Sequence, residues 1–419
     1  MVGQTFVRDT PSKKLSGAAA EAAAKVNKLL LHDFTVKVNN NPSTDLTELL
    51  QFKLKTYPPL RQTFVDSAVE STSTKSTDTT TGTAPDVREE FLIPSDVVII
   101  RPLSMAVTQA VQSVSSCDSD SSEISSAIRG LNDLILRSDI LWHWGSTAVL
   151  GLTPNLALKL GNHIDVNYLA MVEEIKHQTL RIPIPEIHGV LQQSGTRWKF
   201  IFMSRVPGVP LDSIWKTLNP HQKASVQDQL NVMFTDLRSL PFSPSDEPGA
   251  VYGGGTPRRC KDTRREIRVA DAPISNEREF NCFLSFNPRR TGTGHHAMLR
   301  AYMATDHRLV MTHADLHPRN IMATLTPCSP GTNEVDGLCL QASTALAGTD
   351  DLPSGQVTIT GIIDWEMCGW YPEYWEYLKA LNTPFGGGEF DDWWKYLPPI
   401  IGTWPREHAV DLMLDGWCR

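Results

Sequence analysis

No two of the seven cysteines form a CxxC pair; they stand at 117, 260, 282, 328, 339, 368 and 418 of a 419-residue chain. An odd, widely spaced set excludes a zinc knuckle and argues against a disulfide framework, so reduced thiols are expected. Long hydrophobic runs are missing as well. Nothing approaches the roughly 18 consecutive apolar residues of a membrane span. The opening "MVGQTFVRDTPSKKL" has no apolar core of a secretory signal, and its second residue is Val, not the Gly that myristoylation needs. Positive charge is in deficit, with 39 Lys and Arg against 47 Asp and Glu and a net charge of -8. That balance speaks against a dedicated nucleic-acid binder. A cytoplasmic protein with neither a membrane nor a nucleic-acid partner is the expectation.

What is present is ordinary for a folded protein: 41% apolar and 21% charged residues, enough for a sizeable core. The length suits two or three domains or one bilobal unit. Residues 1–97 read as a weakly ordered extension. "LSGAAAEAAAKVNKLLLHDF" has helix-forming composition. "SAVESTSTKSTDTTTGTAPD" (67–86) has almost no large apolar residue with which to offset the entropy of ordering, and reads as a linker. "QSVSSCDSDSSEISSA" (112–127) reads as a further loop, with order starting near residue 131.

From there the periodicities change. "NLALKL" alternates Leu156, Leu158 and Leu160 with Ala157 and Lys159, the mark of a strand, and "GSTAVLGL" before it suits a hairpin partner. Val166, Leu169, Val172 and Ile175 fall at helical spacing. "IPIPEIHGV" must be extended, because each proline biases its predecessor away from helix. "RWKFIFMSRVPG" is a strand ending at Pro207–Gly208. Beyond it, Asn219 caps a helix with Pro220 in its first turn, and Asn276 and Glu279 have the spacing of a capping box. The tail from 371 reads as helical. The fold class expected is α+β: a small antiparallel sheet with one helix in front, a mainly helical part behind, and a ligand groove where they meet near 206.

The stretch "VMTHADLHPRNIM" (310–322) sets His313, Asp315 and Asn320 between apolar anchors. Forty-four positions after Asn320, "VTITGIIDWE" delivers Asp364 at the end of a strand. Two strand-anchored carboxylates and an asparagine suit metal-assisted phosphoryl transfer. One carboxylate accepts the proton of an attacking hydroxyl, and hard oxygens hold Mg2+. A lysine on the other part, Lys159, would neutralise the nucleotide phosphates. Other readings stand beside this one. His313, Asp315 and His317 have transition-metal spacing, without a further His or Cys to complete the set. Asp315 and His317 also suit loop hydrogen bonding, and a lone strand lysine is commonly solvated.

"THADLHPRNIM" followed by "GIIDWEMCGWYPEYWEYLKA" resembles the aminoglycoside phosphotransferase and choline-kinase-like family, on the protein-kinase-like fold. "VYGGGTPRRCKD" and "SNEREFNCFL" resemble its fungal subgroup. The resemblance spans about residues 135–415. It implies a bilobal kinase-like fold, with an N-lobe over 98–205, a C-lobe over 206–419 and a hairpin insertion at about 324–356. It implies an ATP- and Mg2+-dependent kinase acting on a hydroxyl of a small molecule. By position, Asp315 is the implied catalytic base, His313 the brace of its loop, and Asn320 and Asp364 the Mg2+ ligands. Lys159 is the implied phosphate-binding residue, and Ser204 and Val206 the main-chain hinge for adenine.

Two departures, at the helix glutamate and in the glycine loop, leave a second reading open, a nucleotide-binding pseudokinase or interaction module. The front-lobe helix of the family carries a glutamate that pairs with the lysine; Asn167 aligns best here, with Asp165, Glu173 or Glu174 as substitutes after a register shift. "WGSTAVLGL" lacks the G-x-G-x-x-G of protein kinases. "WYPEYWEYLKA", read as a helix, follows Asp364 too closely for a peptide-docking activation segment. Trp370, Tyr371, Tyr374, Trp375, Trp393 and Trp394 suit a core or an ammonium cage. Glu366, Glu373 and Glu376 suit ion pairs or a cationic acceptor. The identity of the acceptor is not written in the sequence.

Overall fold

The computed structural model describes scattered positions between Ala20 and Arg61, then residues 86–114, 123–162, 164–178, 181–241, 259–262, 268–285, 291–327, 355–382 and 392–418. The chain divides into two units between Ala84 and Pro85. In the first, every described position from Ala20 to Val38 is helical, as the composition there predicts, and Ala23 and Val26 are buried. The Tyr57 hydroxyl donates to Asn27 Oδ1 at 2.6 Å. All of the expected linker but Asp86 lies outside the described residues.

The second unit begins with an antiparallel sheet of six strands: β1 (Val97–Arg101), β2 (Asp139–Trp144), β3 (Thr147–Gly151), β4 (Leu156–Gly161), β5 (Ile187–Gln193) and β6 (Lys199–Ser204). Their spatial order is β1-β5-β6-β4-β3-β2. The hairpin of β3 and β4 has the predicted partners, pairing Val149 with Lys159. Order starts well before residue 131. Two helices, α1 (Met105–Gln112) and α2 (Glu123–Leu136), precede the hairpin, where a loop and a single-helix lobe were expected. The apolar residues decide this: Val107, Ile128, Leu131, Leu134 and Ile135 are buried with Phe91, Leu150, Leu158, Leu160, Phe200 and Phe202. The leading segment is tied to α2 by Asn132, which accepts from the Ile93 N–H at 2.7 Å and donates to its carbonyl at 2.9 Å. Periodicity won over a serine-rich composition, and only 115–122 lies outside the described residues.

Helix α3 (Leu169–Gln178) belongs to the other core, with Leu169, Val172 and Ile175 clustered with Val190 and Ile201 of the sheet. Because apolar clusters cover both faces, β4 is buried nearly throughout instead of alternating. Lys159 is its one half-buried residue.

After β6 the chain turns at Gly208, whose φ is +94° and where a Cβ would stand 2.3 Å from the Ala323 carbonyl oxygen. Glycine alone meets both demands. The short strand β7 (Val209–Pro210) pairs with β11 (Ile321–Pro327). Helix α4 (Pro220–Arg238) opens with the predicted Asn219 cap, closed reciprocally by Gln222. Strands β8 (Lys261–Asp262) and β9 (Arg268–Val269) pair antiparallel. Helices α5 (Glu277–Leu284) and α6 (Thr293–Tyr302) follow; α5 has the predicted Asn276 cap. Glu279 reaches back to the Ser275 N–H at 2.8 Å, one residue beyond the expected capping-box partner.

Strands β11 and β12 (Gly355–Ile362) form a hairpin pairing Ile321 with Ile362 and Pro327 with Gly355, with a register shift between Met322 and Ala323. The expected insertion at 324–356 therefore starts and ends inside the paired strands, and its tip, 328–354, lies outside the described residues. β10 (Leu309–Thr312) pairs with β13 (Gly369–Pro372), so the first part of "WYPEYWEYLKA" is strand. Pro372 helps delay the helix, α7, to Trp375–Leu381. Helix α8 (Pro405–Cys418) closes the unit. Trp370, Tyr371, Tyr374, Trp375 and Trp393 are buried, which is the core reading, while Trp394 is exposed. No described helix is long and apolar enough to cross a membrane. The described cysteines 260, 282 and 368 are free thiols.

Candidate active site

Lys159 points from β4 to the end of β12. Its Nζ donates to Asp364 Oδ1 at 2.9 Å and lies 3.5 Å from Glu366 Oε2, joining positions that the chain separates by 205 and 207 residues. Burial works to lower the Lys159 pKa, but Asp364, Tyr168 and Glu366 outweigh it and raise it. In turn Lys159 holds the Asp364 carboxyl below its usual value, against the opposing effect of burial. Asp364 stands at φ 65°, ψ 56°, a left-handed conformation uncommon for a residue with a side chain. Backbone held in such a state clusters at functional sites.

The second group sits on the loop after β10. Asn320 Nδ2 donates to the main-chain oxygen of Asp315 at 2.9 Å and to its Oδ2 at 2.7 Å. Those two bonds fix the amide and leave its carbonyl oxygen on the other side, the hard donor that a magnesium ion uses. The Asp315 carboxyl is pushed up, chiefly by burial and then by Asp364, with Arg319 opposing. Arg319 is half exposed, 3.8 Å from Asp315 Oδ2.

His313 connects the groups. Fully buried, it donates from Nε2 to the Ile363 carbonyl at 3.1 Å and accepts the Asp315 N–H on Nδ1 at 3.3 Å. The carbonyl partner fixes that tautomer. Burial drives its pKa down, which keeps the ring neutral. Trp365 packs edge-on against it, ring centroids 4.6 Å apart. The main chain repeats the connection, since the Ile363 N–H donates to the Asn320 carbonyl at 2.9 Å.

A residue whose role the sequence left open completes the loop. The buried Glu376 of α7 accepts the N–H of His313 at 2.7 Å and that of Ala314 at 3.2 Å. Ala314 has φ 63°, the second non-glycine residue in the left-handed region. The neighbouring glutamates are also committed to protein groups. Glu373 pairs with Arg308 at 2.7 Å, and Glu366 accepts the Asp165 N–H at 3.3 Å.

The helix residues considered as lysine partners go elsewhere. The Asn167 N–H donates to Asp165 Oδ1 at 2.8 Å, Glu173 pairs with Arg101, Glu174 bonds Gln178, and Asp165 pairs with Lys261. The turn after β12 supplies the carboxylates for Lys159 instead. The signal was the "DWE" spacing, which sets Asp364 and Glu366 two residues apart on one turn. Where the hinge is expected, the Ser204 N–H already donates to the Glu186 carbonyl at 2.8 Å, and Val206 packs its side chain over Gly361. His317 accepts the Arg319 N–H on Nδ1 at 3.1 Å, and its pKa is lowered to about 3 by burial and Arg319. Among the described residues, no three His, Cys, Asp or Glu side chains are grouped to hold a metal, so the H-x-D-x-H reading fails.

No curated protein matches the sequence. Solved structures similar to the chain include the streptomycin-ATP-APH(2'')-IIa ternary complex, at 11% identity over 63% of this chain and 76% of that one, with a TM-score of 0.37. The GDP complex of wild-type aminoglycoside 2'-phosphotransferase-IIIa is similar at 14% identity over 66% and 81%, TM-score 0.40. The apo form of a thermostable mutant of aminoglycoside phosphotransferase APH(4)-Ia is similar at 11% identity over 66% and 85%, TM-score 0.37. The stretch holding Lys159, Asp315 and Asn320 carries the sequence evidence: residues 155–336 match the phosphotransferase enzyme family.

Proposed function

We propose that the chain is an ATP- and Mg2+-dependent phosphotransferase that moves the γ-phosphoryl group to a hydroxyl of a small molecule. The observation that carries this reading is the junction of Lys159 and Asp364 with Asp315 and Asn320 through His313 and Ile363. Asn320 and Asp364 present an amide and a carboxylate oxygen, a donor set that suits Mg2+, which completes its shell with water and phosphate oxygens. Bound there, the ion would offset the charge of the triphosphate.

The chain's own groups do the rest. Lys159 neutralises phosphate oxygens from the sheet. Asp315 accepts the hydroxyl proton; its raised pKa fits a base better than that of a free carboxylate does. Neutral His313 holds the Asp315 main chain at a fixed distance from the strand bearing Asp364. The sheet through Ser204 serves the nucleotide and the part from 206 the acceptor. With the Ser204 N–H occupied, Val206 is left to meet the adenine edge.

A small acceptor is favoured over a peptide because a single 3-10 turn, Trp365–Met367, and then β13 follow Asp364. There is no length for a docking segment. The test is a labelled-ATP screen against a pool of hydroxyl-bearing metabolites, with and without Mg2+, beside Asp315→Asn and Asp364→Asn. Label transferred to a small molecule only by the wild type with Mg2+ is the expected result. Nucleotide binding with no transfer to any acceptor would make the chain a pseudokinase.

A further inference from the structure

The segment "RRCKD" has no place in the phosphotransfer reading, yet it puts a buried lysine beside the site. Lys261 is 8% exposed. Its Nζ binds Asp165 Oδ2 and lies 3.3 Å from the Glu366 carbonyl. The piece carrying it is anchored on every side. The Lys261 N–H faces the Tyr371 hydroxyl at 3.3 Å, Cys260 is fully buried, and Asp262 pairs with Lys379 of α7 at 2.9 Å. A side chain held this firmly acts as a fixed point for whatever it touches.

What it touches is the counter-charge of Lys159. Asp165, gripped by Lys261, turns its N–H toward Glu366 Oε1 at 3.3 Å, while Glu366 Oε2 stands 3.5 Å from Lys159. Lys261 therefore holds Glu366 from two directions, through Asp165 and through the main-chain carbonyl. The charges pair off as Lys261 with Asp165 and Lys159 with Glu366. Asp364 is then free to leave Lys159 for the metal without leaving the lysine unbalanced. In a chain with Asn167 where a helical glutamate is expected, this supplies the missing fixation from a different element.

We infer that Lys261 is a positioning residue: through Asp165 and the Glu366 carbonyl it sets Glu366 against Lys159, so that the lysine would keep a partner where Asp364 serves as a metal ligand. The inference rests on the proposed phosphotransfer reading. Lys261 touches no reacting atom and acts only on the poise of Lys159.

The experiment measures MgADP affinity by calorimetry, and MgATP turnover, for the full chain and for Lys261→Met, Lys261→Arg, Asp165→Asn, Lys159→Met and the Lys261→Met/Lys159→Met pair. Thermal melts establish that each variant is folded. Loss of an outer-shell partner in a metal site costs about 10- to 100-fold, which sets the scale here. Lys261→Met should weaken MgADP by about that factor, Lys261→Arg should recover most of it, and the double variant should be no worse than Lys159→Met alone. Asp165→Asn cuts the same link from its more exposed end and stands in if Lys261→Met does not fold. Wild-type affinity in folded Lys261→Met or Asp165→Asn, or additive losses in the double variant, would overturn the inference and leave the phosphotransfer reading intact. A wild-type chain that binds neither MgADP nor MgATP would overturn both.

Discussion

Glu376 and Ala314 are a matched pair: a carboxylate buried in α7 accepts the main-chain N–H of an alanine held in left-handed backbone, 3.2 Å away. The strain at Ala314 persists because Glu376 binds that N–H and its neighbour on His313 together. Glu376→Gln replaces one acceptor oxygen with an amino group facing those donors. An unsatisfied buried group costs about 1–3 kcal/mol. The variant should lose that much in urea denaturation and should lose turnover as well. Unchanged stability would show that the loop holds its shape without the carboxylate.

Asp364→Asn separates charge from shape. Asparagine tolerates positive φ better than most residues do, so the turn should survive. The variant should stay within about 1 kcal/mol of wild type, since Lys159 keeps Glu366 as a partner. Turnover should fall by about 10²- to 10³-fold, the usual effect of removing one preorganised electrostatic group. A variant that turns over normally would remove Asp364 from the chemistry.

The pair Asp262–Lys379 is buried on both sides, at 3% and 4% exposure. Removing one partner of such a buried pair takes away the counter-charge of the other, at a cost of up to about 3–5 kcal/mol. Asp262→Ala should therefore destabilise the second unit strongly. Replacing both residues with apolar ones of similar volume should restore much of the loss. Equal stability for Asp262→Ala and wild type in denaturant would contradict this.

His307 gives a pH dependence with a definite sign. Its hydrogen bond to Glu277, 2.7 Å away, raises its pKa most, burial opposes, and Glu277, Glu407 and Glu373 add attraction. Tyr374 and Trp404 face the same ring edge-on. A raised folded value means that the protonated ring stabilises the fold. The contribution is complete below about pH 6.5, the unfolded value, and drains as pH climbs through the folded one. His307→Gln should flatten the fall of stability as pH rises above about 6.5. Parallel curves for variant and wild type would rule out His307 as the source.

Much of this arrangement is legible in the sequence. The alternation around Lys159, the strand leading to Asp364 and the caps Asn219 and Asn276 are local signals, and local signals survive folding. What failed was of two kinds. Serine-rich composition hid α1 and α2, because a few well-spaced apolar residues against a sheet outweigh many polar ones. The resemblance implies a front-lobe glutamate as the partner of Lys159, and the structure supplies Asp364 and Glu366 instead. Pairing across more than two hundred residues leaves no periodic trace. Lys261 and Glu376 share that invisibility, since each acts on main-chain atoms or on another ion pair far away in sequence.

The ladder of β11 and β12 fixes Ile321, next to Asn320, opposite Ile362, two residues before Asp364, whatever joins Pro327 to Gly355. Length at that junction is thus decoupled from alignment at the other end of the ribbon. A fluorescent reporter spliced between Pro327 and Gly355 should therefore leave the spacing of Asn320 and Asp364 untouched, because the paired strands set it.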